Sequence, residues 1–118
     1  MSQTDSSTEA AWVAVLDIAG LQKSEYDAIV AHMGVEQAPA ADIFLHLAAP
    51  MNEDGIRVIE LWRDAEGFQS FIQSKMLPAA EALGIQRETT VTVTPLHNLF
   101  APRLAEIAAL PRTKGAPA

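Results

Sequence analysis

The stretch Gly55–Leu83, GIRVIELWRDAEGFQSFIQSKMLPAAEAL, constrains the fold of this chain more than any other. It opens as a strand. Ile56, Val58, Glu60 and Trp62 alternate with Arg57, Ile59 and Leu61, the period of two of a pleated chain. It closes as a helix, with Phe68, Phe71, Ile72 and then Lys75 or Met76 three and four residues apart, and Leu83 beyond. Only Arg63 separates Trp62 from Asp64, whose side chain can cap that helix. Pro78 falls inside the pattern and predicts a kink or break near Met76–Leu77, and Gly84 ends the helix.

The first half repeats the plan. In AWVAVLDIAG (Ala11–Gly20), Trp12, Ala14, Leu16 and Ile18 lie on one face and Val13 and Val15 on the other, with Asp17 interrupting the second face near its end. A strand apolar on both faces is covered on both sides. A helix follows from about Lys23 to Met33, its stripe made by Tyr26, Ile29, Val30 and Met33. Ser24 with Asp27 reads as its capping box, Gln22 is a weaker alternative start, and Gly34 is placed to end it. His32 lies off the stripe, at a solvated or boundary position. After a linker over Glu36–Ala41, Asp42–Pro50 reads as a second strand, with Ile43, Leu45 and Leu47 facing one way and Phe44, His46 and Ala48 the other. The short connection MNED joins it to the strand at Gly55 as an antiparallel hairpin. ETTVTVTPLHNLF (Glu88–Phe100) carries a fourth strand, broken or bulged at Pro95, and APRLAEIAAL a short helix.

The order is therefore β-α-β-β-α-β: an α+β, ferredoxin-like domain with an antiparallel sheet in the order 4-1-3-2. Residues 1–10 are polar and read as a disordered tail, 11–100 as the domain, and 101–118 as a C-terminal extension whose end frays. Two helices cover one face of the sheet only, yet the strands are apolar on both. The mismatch predicts a second copy packed on the open face, a homodimer.

Composition removes several classes of function. A chain of 118 residues is one domain, long enough to fold without a disulfide or metal. The absence of Cys excludes thiolate nucleophiles, Cys-ligated zinc and iron–sulfur clusters. A net charge of -7 without a Lys/Arg cluster argues against nucleic acid. No leader-like or membrane-spanning apolar run occurs, so a cytoplasmic protein is the expectation. The three His show neither H-x-x-x-H nor H-E-x-x-H spacing. A facial triad of His46, His97 and Glu60 is conceivable, but nothing in the spacing demands a metal, and none is expected. Nucleotide and serine-hydrolase motifs are lacking too.

Strand parity collects the residues that can carry chemistry. Phe44 and His46 share a sheet face with Val58, Glu60 and Trp62, which places His46 beside Val58 or Glu60. A carboxylate that orients an imidazole is how a general base is held; the plainer reading is a self-satisfied pair in a half-buried sheet. Trp62 can stack on an aromatic ligand, but a strand Trp before a helix more often fills the core. Trp12 packs. Tyr26, on the inner stripe of the first helix, either points its hydroxyl into a pocket or satisfies it within the core. His97 and Asn98, near the end of the last strand, either complete a pocket, cross the dimer interface, or only hydrogen-bond at the strand end.

The pattern VIELWRDAEGFQSFIQS resembles the strand-Trp, acidic turn and helix of the antibiotic biosynthesis monooxygenase-like group, in the dimeric α/β barrel superfamily. GLQKSEYDAIVAHMG resembles the first helix of those proteins, and PLHNLFAP a closing strand seen in small members; the resemblance covers about residues 11–102. It implies a homodimer with facing sheets and, in each subunit, a pocket between sheet and helices. Activities in that superfamily include cofactor-independent oxygenation of aromatic polyketides and quinols, and haem degradation. Trp62 matches the strand-three Trp of both groups. Val58 stands where the polyketide monooxygenases have Asn. The first strand lacks the Asn of the haem degraders, and LPAAEAL offers Glu81 where they have His, which disfavours haem degradation. The resulting expectation is a small monooxygenase without cofactor, acting on an aromatic or quinol-type molecule. His46, His97 and Glu60 would be catalytic, and Trp62, Phe44, Tyr26 and Asn98 would bind substrate. Its partners would be a second copy and a small hydrophobic or aromatic ligand, with no nucleic acid and no membrane. The alternative is a dimeric ligand-binding module without turnover.

Overall fold

β3 (Gly55–Trp62) and β1 (Trp12–Ala19) form the middle of one antiparallel sheet, with β2 (Ile43–Pro50) and β4 (Thr89–Pro95) at its edges, in the order β2-β3-β1-β4. This computed structural model describes residues 10–110; the parts of the expected tails at 1–9 and 111–118 lie outside the described residues. The order is the expected 4-1-3-2 read from the other edge, and the domain is α+β and ferredoxin-like.

The register follows from side-chain alternation. Ala14 faces Glu60, Leu16 faces Val58, and Ile18 faces Ile56, and all six are buried under the helices. Gly55 allows the hairpin to enter β3: its φ is 133°, and a Cβ there would lie 2.5 Å from the Ile18 carbonyl oxygen. The opposite face carries Val13, Val15, Ile59 and Leu61 in register, with Leu45 and Leu47 on β2. Leu61 is buried, but Ile59 and Leu47 are solvent-exposed, so no element among the described residues covers that part of the face.

Three local readings need correction. First, β2 is irregular between Ile43 and Leu45: Ile43 pairs with Trp62 and Leu45 with Leu61. The extra residue, Phe44, turns Ile43 to the helix-covered side, where strict alternation had placed it with Leu45 and Leu47. Second, α1 (Lys23–Met33) starts at Gln22, whose backbone N–H donates to Glu25 Oε1 at 2.9 Å. Glu25 also accepts from Arg87 Nε at 3.2 Å and Nη2 at 3.0 Å. These partners hold its carboxyl below the usual range and anchor the helix start, in place of the Ser24–Asp27 box. Third, the kink or break expected near Met76–Leu77 takes the form of a π-helical turn that keeps the helix continuous through Pro78. α2 (Ala65–Phe71), capped by Asp64 accepting from the Gly67 N–H at 2.6 Å, runs through a π-helical turn over Ile72–Met76 into α3 (Leu77–Ala82). The Leu77 N–H reaches back to the Ile72 carbonyl. The wider turn absorbs the donor that proline lacks and the clash of its ring.

Trp62, Phe68 and Leu16 are the largest fully buried side chains, and Phe68 meets the Trp62 indole edge-on at 5.9 Å between centroids. β4 ends at Pro95, and a short α4 (Leu104–Ala108) follows. No helix among the described residues is long and apolar enough to cross a membrane.

Candidate active site

Between the helix-covered face of the sheet and the helices lies a cavity of about 1260 Å³. Its walls are mostly apolar: Leu16, Ile18 and Val58 from the sheet, Ile29 and Met33 from α1, Met76 from the π-helical turn. Leu104 and Ile107 of α4 border it as well. It opens to solvent on one side, and Glu36, Glu81, Arg87 and Glu88 stand on its border; a large, mostly apolar pocket that gathers polar groups is a usual form of a small-molecule site.

Its polar centre is a line of four hydrogen-bonded side chains. His46 lies opposite Glu60 in the β2–β3 ladder, so both project to the same face. His46 Nδ1 is 2.7 Å from Glu60 Oε2. The other carboxylate oxygen, Oε1, accepts from Trp62 Nε1–H at 2.8 Å, because residues 60 and 62 of one strand point the same way. On the far side, Tyr26 Oη is 2.6 Å from His46 Nε2. A carboxylate only accepts, so His46 carries its proton on Nδ1 and Tyr26 donates its O–H to Nε2.

The four differ sharply in access. Trp62 is 1 % exposed and Glu60 5 %. The His46 side chain is 36 % exposed. Tyr26 is half-buried and, with His46 and Glu60, lines the cavity. Burial pushes the Tyr26 hydroxyl up to about 12, and the carboxylates of Glu36, Glu60 and Asp27 push in the same direction. The phenol therefore stays neutral at ordinary pH. The arrangement joins a neutral donor–acceptor, an imidazole and a buried carboxylate in one path, which is the equipment for moving a proton to or from a bound molecule.

The residues expected from sequence divide into two groups. His46, Glu60, Tyr26 and Phe44 come together on the cavity wall. Phe44, at the β2 irregularity, lies under the Arg63 guanidinium, 4.9 Å from its ring centroid. Trp62 does not reach the cavity: its indole packs against Phe68 and Phe71 and steadies Glu60 from behind, so it is no platform for a ligand within this chain. His97 and Asn98 lie beyond β4, exposed and off the cavity wall, because the strand ends at Pro95 before it can carry them inward. Among the described residues no cluster of three or more metal-ligating side chains occurs. Sequence reasoning missed Glu36, the Arg87–Glu25 pair and the apolar face of α4; only the last left a local signal, Leu104 and Ile107 three residues apart.

No protein-family model matches the chain, and no curated protein matches it in sequence. Solved structures do match in fold. A mutant of SnoaB, a cofactor-independent oxygenase from Streptomyces nogalater, is similar at a TM-score of 0.59 and 16% identity, over 76% of this chain and 96% of that one. A putative antibiotic biosynthesis monooxygenase from Caulobacter crescentus CB15 is similar at 0.57 and 10% identity, over 76% and 92%. A dimeric ferredoxin-like protein from an uncultured marine organism is similar at 0.55 and 14% identity, over 79% and 93%. The chain thus has the fold of the antibiotic biosynthesis monooxygenase-like, ferredoxin-like proteins.

Proposed function

We propose that this protein is a cofactor-independent monooxygenase that acts on a phenolic or quinol-type aromatic molecule held in the cavity. The observation that carries this reading is the Tyr26–His46–Glu60–Trp62 line opening into an apolar enclosure. The proton leaves the substrate and ends on His46 Nε2, and the imidazolium so formed faces the buried Glu60 carboxylate. The electron-rich anion left behind reduces oxygen directly. In an anthrone, the methylene carbon loses two hydrogens and gains one oxygen atom as a carbonyl, and the second oxygen atom leaves as water. Both electron pairs come from the substrate, so no reductant is consumed. SnoaB, a cofactor-independent oxygenase of this fold, supports the assignment by analogy alone. The same reading takes two copies packed through the open sheet face.

The test is oxygen uptake with a panel of anthrones and hydroquinones, with the products checked for label from ¹⁸O₂. Wild type should exceed the buffer rate with at least one compound. His46→Ala should lose about 100- to 10,000-fold, the usual cost of a positioned acid–base group, while His32→Ala, exposed on α1, keeps full activity. No uptake by wild type across the panel removes the oxygenase reading for these compounds and leaves a ligand-binding module.

A further inference from the structure

We propose that the Tyr26 hydroxyl, and not the His46 ring, is the group that meets the substrate and passes its proton inward. This rests on the acid–base reading of the same site.

The reason is valence. His46 has two ring nitrogens, and both are engaged, Nε2 with Tyr26 Oη at 2.6 Å and Nδ1 with Glu60 Oε2 at 2.7 Å. No nitrogen remains to take a proton from a ligand directly. Glu60 is buried behind the imidazole, with its second oxygen held by the Trp62 N–H. Trp62 has no contact with the cavity. Among the described residues Tyr26 Oη has one partner, His46, and a phenolic oxygen that donates one hydrogen bond can still accept another. It is the terminal member of the hydrogen-bonded line and lies on the cavity wall.

The transfer balances as two coupled steps. The substrate O–H bond breaks as a new O–H bond forms on Tyr26. The original Tyr26 O–H bond breaks as an N–H bond forms on His46 Nε2. A neutral substrate and a neutral imidazole become a phenolate and an imidazolium, and Tyr26 is neutral before and after. The surrounding groups favour a relay over a stored charge. Asp27 on α1, Glu36 in the linker and Glu60 on β3 all disfavour a tyrosinate at this position.

Binding of 4-nitrophenol tests this without oxygen chemistry, because its phenolate is yellow and its phenol is not. With wild type, bound 4-nitrophenol should be ionised at a pH where the free compound is mostly neutral. Tyr26→Phe keeps the ring in the wall. At equal occupancy it should show at least about tenfold less phenolate than wild type at the same pH. His46→Gln should do the same. A merely structural Tyr26 would leave ionisation at fixed occupancy unchanged, so Tyr26→Phe that ionises the ligand as wild type does overturns the proposal. Wild type that binds the phenol without ionising it, or does not bind it, overturns both this assignment and the proton-abstraction reading. Ionisation by wild type that is lost in Tyr26→Phe, without oxygen uptake on any substrate, supports Tyr26 and removes only the oxygenase. Should Tyr26→Phe fail to fold, wild-type chain grown with 3-fluorotyrosine carries a single label, since Tyr26 is the only tyrosine. Its ¹⁹F resonance should shift on saturation with 4-nitrophenol, and an unmoved resonance overturns the proposal.

Discussion

Tyr26 is the only tyrosine of the chain, so its ionisation can be followed alone by ultraviolet absorbance. Its midpoint should lie near about 12 and not at the ordinary 10.0, because burial and three nearby carboxylates oppose the phenolate. The raised value also bears on stability. Below the unfolded value both states hold the proton, and the contribution is fully present. Between 10.0 and about 12 the unfolded chain loses its proton while the folded chain keeps it, so stability falls as pH rises through that window. Urea midpoints taken below and within the window should show the decline, and Tyr26→Phe should flatten it. A midpoint near 10.0 in the folded protein would mean that the hydroxyl is not held as described. Trp62 makes a different point at this scale. Its hydrophobic mass fills the core beside Phe68, and its single polar atom fixes the carboxylate that faces His46. One residue serves packing and the Glu60 carboxylate, and the sequence reading offered the packing and a ligand platform but not the hydrogen bond to Glu60.

At the scale of elements, the β2–β3 hairpin brings the site together. The turn at Met51–Asp54 closes with the Met51 N–H donating to the Gly55 carbonyl at 3.0 Å, which sets the register that puts His46 against Glu60. Gly55 is the position on which that register depends. At a φ of 133° a side chain is strained, and a Cβ would overlap the Ile18 carbonyl at 2.5 Å. Gly55→Ala should therefore cost about 1–3 kcal/mol from backbone conformation, with the overlap added, read as a lower urea midpoint at unchanged slope. A loss below a few tenths of a kcal/mol would show that the hairpin tolerates another turn. The π-helical turn works on the other wall. It carries Met76 to the cavity and lets one helix continue through Pro78, so α2 and α3 cover the sheet together.

For the whole molecule, the unequal faces of the sheet are the basis on which a two-fold assembly is proposed. The helix-covered face buries the core and holds the cavity, while the other presents Leu47 and Ile59 to solvent. Sedimentation equilibrium at micromolar concentration should give twice the 12.7 kDa chain mass. Ile59→Lys, at a position off the cavity wall, should return it to a monomer, since unpaired charges buried at a two-fold interface are strongly disfavoured. A wild-type monomer at that concentration would refute the assembly and leave the apolar face unexplained.

Periodicity alone determined the order of elements, the face of every residue in β1 and β3, the cap at Asp64 and the sheet face that His46 shares with Val58 and Glu60; the structure selects Glu60. Each depends on neighbours a few residues apart or on a short hairpin, where local geometry leaves little choice. Tertiary structure decided the rest. Tyr26 and His46 are brought into contact only by the seating of α1 on the sheet, which no spacing in the chain encodes. The helix starts at Gln22 and not with the Ser24–Asp27 box because Glu25, which accepts from the Gln22 N–H, is also held by Arg87, a residue distant in sequence. Phe44 breaks the alternation of β2, and one extra residue in a strand has no signature in a pattern of apolar side chains. His97 looked equivalent to His46 as a residue type, but a strand that stops at Pro95 leaves it outside. The fold is written in local repeats, whereas the hydrogen-bonded line from Tyr26 to Trp62 exists only where distant segments meet.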